Sequence, residues 1–101
     1  LYAINLSFNN LSGAIPMAIG LLSNLMFLNL NNNSLEGKVP PLTACGKLQI
    51  LDLGENKLSG EIPSFGVESH PYLQILRLRA NWLTGGIPPE FCSLTHLQIL
   101  D

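Results

Sequence analysis

One pattern, L-x-x-L-x-L-x-x-N-x-L-x-G-x-I-P, recurs along the whole chain and dictates what it can fold into. The first copy reads Leu1, Ile4, Leu6, Asn9, Leu11, Gly13, Ile15, Pro16, and the second Leu25, Leu28, Leu30, Asn33, Leu35, Gly37, Val39, Pro40. The third is Leu48, Leu51, Leu53, Asn56, Leu58, Gly60, Ile62, Pro63, and the fourth Leu73, Leu76, Leu78, Asn81, Leu83, Gly85, Ile87, Pro88. A fifth opens at Leu97 and Leu100, so the units run 1–24, 25–47, 48–72, 73–96 and, in part, 97–101. Self-similarity at this period predicts a solenoid, in which each unit hides its apolar side against the next. Such a chain leaves one long curved face free and is suited to binding rather than to catalysis.

The leucines two apart at the end of L-x-x-L-x-L have strand spacing. Short strands are expected near Ala3–Leu6, Phe27–Leu30, Ile50–Leu53 and Ile75–Leu78, with another starting near Ile99. Stacked about 4.8 Å apart they would make a parallel sheet. Each buried leucine would contribute about 1.5–3 kcal/mol. Asn9, Asn33, Asn56 and Asn81 fall where the chain leaves each strand. Their amides can satisfy main-chain groups that no strand partner reaches, which predicts an internal asparagine ladder rather than a row of ligand contacts. Gly13, Gly37, Gly60 and Gly85 permit a backbone turn, and the prolines that follow can open short 3₁₀ or one-turn helical pieces on the convex side. Apolar anchors for those pieces are Ile19 and Leu22, or Phe91 and Leu94.

The segments Leu11-Ser12-Gly13-Ala14-Ile15-Pro16 and Leu58-Ser59-Gly60-Glu61-Ile62-Pro63 carry the L-S-G-x-I-P signature, with drifted copies at Leu35–Pro40 and Leu83–Pro88. On these residues the chain resembles the plant-specific subclass of leucine-rich repeats. Leu51-Asp52-Leu53-Gly54-Glu55-Asn56 and Ile75–Asn81 are more specifically similar to the extracellular repeats of plant receptor-like proteins and receptor-like kinases. The resemblance implies an α/β solenoid: a right-handed superhelix with a concave parallel sheet, short convex helical segments, and a second small sheet at L-x-G-x-I-P that twists the coil. It implies a recognition segment in defence or developmental signalling, on the extracellular side of the plasma membrane. The partner would be a protein or peptide ligand and, beside it, a co-receptor. Two alternatives stay open: an inhibitor secreted to the cell wall, resembling polygalacturonase-inhibiting proteins, or a structural spacer in a longer array. One departure from the family pattern stands after Pro63, where Gly66 precedes Val67 and the unit stretches through His70-Pro71.

Only 12% of the residues are charged and the net charge is −2, with no basic stripe to hold nucleic acid. The apolar stretch Ala14–Leu30 is broken by Pro16, Gly20, Ser23, Asn24 and Asn29, and its leucines belong to the repeat, so it is not a membrane span. Contact with a membrane would come only through other parts of a parent chain, since the abrupt, uncapped ends suggest a fragment whose terminal units expose leucines. Cys45 and Cys92 are expected at similar convex positions two units apart, each a buried apolar residue rather than half of a disulfide. His70 and His96 have no partner at metal-ligand spacing and are expected to be solvated or partly packed. With no phosphate-cradling glycine loop, G-x-S-x-G or H-E-x-x-H, neither an enzyme nor a cofactor is expected.

The x positions around the strand leucines fall into columns. One holds Asn5, Asn29, Asp52, Arg77 and Asp101; the next Ser7, Asn31, Gly54 and Arg79; the third Phe8, Asn32, Glu55 and Ala80. Candidate ligand contacts are Asn5, Ser7, Phe8, Asn29, Asn31, Asp52, Glu55, Arg77 and Arg79. Arg77 should sit between Asp52 and Asp101. A cross-strand ion-pair ladder is the leading reading, ahead of Arg77 or Arg79 gripping a ligand carboxylate. Trp82 is expected to pack on a neighbouring turn. Three sequons, Asn5-Leu6-Ser7, Asn10-Leu11-Ser12 and Asn32-Asn33-Ser34, offer glycosylation sites, Asn10 foremost because Asn5 and Asn32 belong to the concave face.

Overall fold

The computed structural model describes residues 2–101; the first motif leucine, Leu1, lies outside them. Among the described residues, nine short strands alternate between two parallel sheets. The concave sheet is β1 (Ala3–Asn5), β3 (Phe27–Asn29), β5 (Ile50–Asp52), β7 (Ile75–Arg77) and β9 (Ile99–Leu100), in that order. The lateral sheet is β2 (Ser12–Ala14), β4 (Ser34–Lys38), β6 (Lys57–Glu61) and β8 (Trp82–Thr84). The concave strands stop one residue earlier than expected. The third leucine of the motif still bonds across, however: Leu6 N–H donates to Asn29 O at 2.9 Å and Leu53 N–H to Arg77 O at 2.9 Å.

The two sheets differ in stagger. In the concave sheet equivalent residues face each other, Ile4 with Leu28, Leu51 and Leu76 in turn. In the lateral sheet each strand pairs two residues back, so that Ser59 meets Trp82 rather than its equivalent Thr84. This slip skews each coil against the last, which is how the second sheet twists the stack. Gly37 and Gly60 sit in lateral strands at φ near +81° and +82°, a conformation costly to any residue with a Cβ.

The core is the set of motif leucines pressed between coils, and neighbours decide its quality. Leu30 and Leu53 are 3% and 1% exposed, whereas the equivalent Leu6 in the first coil is 44% exposed. Leu11 and Leu100, in the outermost coils, are likewise open.

The asparagines that follow each strand tie these coils together. Asn56 Nδ2 donates to Leu30 O at 2.9 Å in the preceding coil and to Leu53 O and Gly54 O at 3.1 and 3.0 Å in its own. Its Oδ1 accepts Leu35 N–H at 3.1 Å. Asn33 and Asn81 repeat the arrangement, reaching back to Leu6 O and Leu53 O, both at 2.9 Å. Asn9, in the first coil, holds Ser7 O at 2.9 Å and no other carbonyl among the described residues.

On the convex side, 3₁₀ helices form at Met17–Leu21 and Pro89–Ser93, each capped by the motif proline. The other two coils turn without one, against expectation. Length explains the split: nine positions separate Pro16 from Leu25 and Pro88 from Leu97, against eight from Pro40 to Leu48 and ten from Pro63 to Leu73. A common anchor survives in all four, three residues before the next motif leucine: Leu22, Cys45, His70 and Leu94. Each donates its N–H or offers its carbonyl along the same turn, as in Leu25 N to Leu22 O at 3.0 Å and Leu73 N to His70 O at 3.3 Å.

That anchor register corrects two expectations. Cys45 is buried because it takes a leucine's place, but Cys92 stands two residues before its anchor Leu94 and is exposed. His70 is neither solvated nor partly packed: it is fully buried, its ring tilted against that of Phe65 with centroids 4.8 Å apart. Phe65 in turn meets Phe91 of the next coil edge-on at 5.8 Å. His70 Nε2 lies 2.8 Å from Leu42 O. A carbonyl only accepts, so Nε2 carries the proton, and Nδ1 is left buried without a partner among the described residues.

Two predictions follow from this packing. Replacing Asn56 with Ala leaves the Leu35 N–H without its acceptor and takes one of two donors from each of three carbonyls, and should cost about 3 kcal/mol in urea unfolding, whereas Asn9→Ala should cost under about 1 kcal/mol. Equal losses would deny the ladder its role. Burial lowers the pKa of His70 below its ordinary 6.5. The unfolded chain therefore binds the proton first. Stability is greatest above the unfolded value and is lost as pH falls through the folded one. His70→Leu should flatten that acid limb of a melting-temperature profile; an unchanged slope would show that another group titrates.

Candidate functional site: the concave sheet

Parallel strands send alternate side chains to opposite faces. With the motif leucines turned inward, the residues between them project from the concave side. The structure adds a column that the sequence reading passed over. Ala3, Phe27, Ile50, Ile75 and Ile99 align in register ahead of the second leucine, and Phe27, Ile50 and Ile75 are half-buried. Tyr2 meets Phe27 edge-on at 6.4 Å, extending this apolar stripe. Carrying the two-residue alternation back one step from Asn5, Asn29, Asp52 and Arg77 would have found it.

The next column does structural work at the strand ends. Asn5, Asn29 and Asp52 each turn Oδ1 onto the N–H two residues on, of Ser7, Asn31 and Gly54, at 3.2, 3.0 and 3.0 Å. Asp52 is buried, and its Oδ1 also accepts Asn31 Nδ2 at 2.9 Å. A Cβ at Gly54 would press against that same Asn31 amide, so this position stays bare. Ser7 Oγ donates to Asn5 Oδ1 at 2.7 Å. Of the nine candidate contacts, Asn5, Ser7, Asn29, Asn31 and Asp52 are thus already engaged with the strand ends.

At Arg77 the column changes character. A guanidinium cannot accept, and among the described residues the Arg79 N–H has no hydrogen-bond acceptor. Arg77 Nη1 lies 3.9 Å from Asp52 Oδ2. Asp101 does not complete the sandwich around Arg77 that its alignment predicted; its carboxylate lies 3.8 Å from Arg79 Nη1, and Arg79 Nε lies 3.7 Å from Glu55. Side chains in this column lean toward the residue two positions on, which carries Asp101 across to Arg79. All three approaches are longer than hydrogen bonds, so these are loose pairs with guanidinium donors to spare.

The third column, Phe8, Asn32, Glu55 and Ala80, takes left-handed φ of 54–57° in every coil. The mixed residue types hide this from the sequence, since only Asn favours that conformation. The strain turns Phe8, Asn32, Glu55 and Ala80 outward onto the rim, where all are exposed. Trp82 does not pack on a neighbouring turn. It opens β8 with Leu83 pointing inward, so its ring projects from the lateral sheet and is 64% exposed. Asn10 lies on that lateral side, exposed at φ 54°. Among the described residues no cluster of three His, Cys, Asp or Glu could hold a metal ion, and no helix is long and apolar enough to cross a membrane.

Comparison with known proteins agrees with this geometry. A family model described as Leucine Rich Repeat matches residues 1–22, 24–45, 47–66 and 72–94. Receptor-like protein 54 of Arabidopsis thaliana is 39% identical over 104 residues, covering 100% of this chain and 12% of its own length. Among solved structures, the ectodomain of the Arabidopsis receptor kinase HAESA, in complex with an N-terminally extended IDA peptide hormone, superposes with a TM-score of 0.93 at 37% identity, over 99% of this chain and 17% of that one. The plant peptide hormone receptor RGFR1, in complex with RGF2, gives 0.90 at 41% identity, over 100% and 16%. The chain therefore spans about an eighth to a sixth of these relatives. With the repeat model matched along most of its length and the stacked parallel coils on view, the chain belongs to the leucine-rich-repeat family.

Proposed function

We propose that this chain is a non-catalytic recognition segment of a plant cell-surface receptor-like protein, acting in defence or developmental signalling. Its place is the extracellular side of the plasma membrane, and its partner is a protein or peptide laid across the concave sheet. The relatives' names and the peptide-bound structures support the class of protein. One observation carries the reading for this stretch: the strand-end bonds that occupy Asn5, Asn29 and Asp52 lapse at Arg77. There two loosely paired guanidiniums and the open Arg79 N–H face the same space, beside the apolar stripe of Ile50, Ile75 and Ile99. Planar donors of that kind grip a carboxylate bidentately, and the stripe accepts apolar side chains. The remaining columns are uncharged apart from Glu55, which flanks Arg79 on the rim.

An array of synthetic peptides, each made with a free C-terminal carboxylate and again as the amide, tests this on the full-length protein. Free-acid peptides should be bound, their amides at least about tenfold more weakly, and Arg77→Ala with Arg79→Ala should erase the difference, in line with about 1.5–3 kcal/mol for a charged hydrogen bond. Binding indifferent to both the carboxylate and the double substitution would sink the arginine reading.

A further inference from the structure

Three sequons compete in the first two coils, and the folded structure treats their asparagines differently. We infer that Asn10 carries an N-linked oligosaccharide and that Asn5 and Asn32 do not, so that the sugar stands on the lateral face and the concave sheet stays bare. This rests on the extracellular placement proposed above, since the transferring enzyme works in the secretory pathway.

The inference follows from what each amide is doing. Asn5 projects from the concave sheet in line with Asn29 of the next strand, and its Oδ1 holds both the N–H and the hydroxyl of Ser7, the serine of its own sequon. An oligosaccharide on its Nδ2 would lie across β3, one strand spacing away. Asn32 stands on the concave rim, and its Nδ2 donates to Asn31 Oδ1, whose amide in turn holds Asp52. Its sequon runs through the ladder residue Asn33 into Ser34, whose N–H is bound to Leu11 O at 2.7 Å. A glycan there would disturb a linked set of bonds that spans two coils. Asn10 makes no side-chain hydrogen bond among the described residues, is exposed, and lies in a left-handed turn that holds it clear of the strand. Its serine, Ser12, is exposed at the start of β2. Of the equivalent positions, Lys57 and Trp82 are exposed and Ser34 is half-buried; all three open lateral strands, whereas Asn10 precedes its strand. The left-handed turn at Asn10 is particular to its coil, while Lys57, with a coil on either side, shows that the position can face outward inside the stack.

The test needs no variant. The full-length protein, produced in plant cells and recovered from the surface by biotinylation, is deglycosylated enzymatically in heavy-oxygen water, and each sequon is read by mass spectrometry. Asn10 should appear as labelled aspartate, with Asn5 and Asn32 as unmodified asparagine. In parallel, Asn10→Gln should remove one glycan step in gel mobility, while Asn5→Gln and Asn32→Gln leave mobility unchanged. Surface protein with a bare Asn10, or with sugar on Asn5 or Asn32, overturns this inference alone. Protein that never reaches the surface and bears no sugar at any of the three overturns the extracellular placement with it.

Discussion

A single carboxamide joins each coil to the one before it. Where the chain leaves a concave strand, it must turn away from its parallel neighbour, and the carbonyls of buried residues such as Leu30 and Leu53 then need a partner from inside the coil. The amide of Asn56 or Asn81 is that partner, donating backward and locally at once while its oxygen takes an N–H of the preceding coil. Aspartate has no N–H to give, and glutamine would carry the same group one methylene too far. The leucines supply the free energy of stacking, but they are non-directional. The asparagine determines where one coil ends relative to the next and so keeps the strands in register.

Register then has consequences on two sides. Zero slip in the concave sheet stacks equivalent positions into straight columns, so a property of one column becomes a stripe: apolar at Phe27, Ile50 and Ile75, amide-bearing at Asn5 and Asn29. A slip of two residues in the lateral sheet sets equivalent positions on a diagonal instead. There Lys38, Ser59 and Trp82 become neighbours although their places in the repeat differ. The concave face therefore reads the repeat as parallel lines, while the lateral face mixes it. A ligand crossing the strands meets a sequence of like positions only on the concave side.

How much of this was legible beforehand depends on whether a feature repeats. The strands and the asparagine ladder follow from residues that recur in every unit, and the second sheet from the family resemblance those residues carry. The convex side recurs only in spacing. Counting three back from each motif leucine finds Leu22, Cys45, His70 and Leu94 on one anchor, but the residue types disguise it, so His70 reads as solvated or partly packed and Cys92 as the buried equivalent of Cys45. Trp82 misled through its chemistry: a large aromatic suggests burial, yet the inward Leu83 beside it forces it out. The left-handed column was invisible because Phe8, Glu55 and Ala80 adopt a conformation their own propensities oppose. There the hydrogen bonds of Phe8 N to Asn31 O and Glu55 N to Arg79 O, across adjacent coils, override local preference.

The same contrast between periodic and aperiodic positions locates chemistry on the concave face. A side chain that closes its own strand end, as Asn29 and Asp52 do, has half its hydrogen-bonding capacity committed before any ligand arrives. Replacing it costs stability, so such a position is a poor place to vary recognition. An arginine at that position releases the constraint. Arg77 contributes nothing to the N–H of Arg79, and its own guanidinium meets only the Asp52 carboxylate among the described residues, at 3.9 Å. The strand survives because its neighbours and the ladder residue Asn81 still hold it, through bonds to Leu53 O and Leu78 O. A solenoid can therefore give up one strand-end bond in one coil without losing its register, and the donors set free by that lapse are the ones directed at the open face.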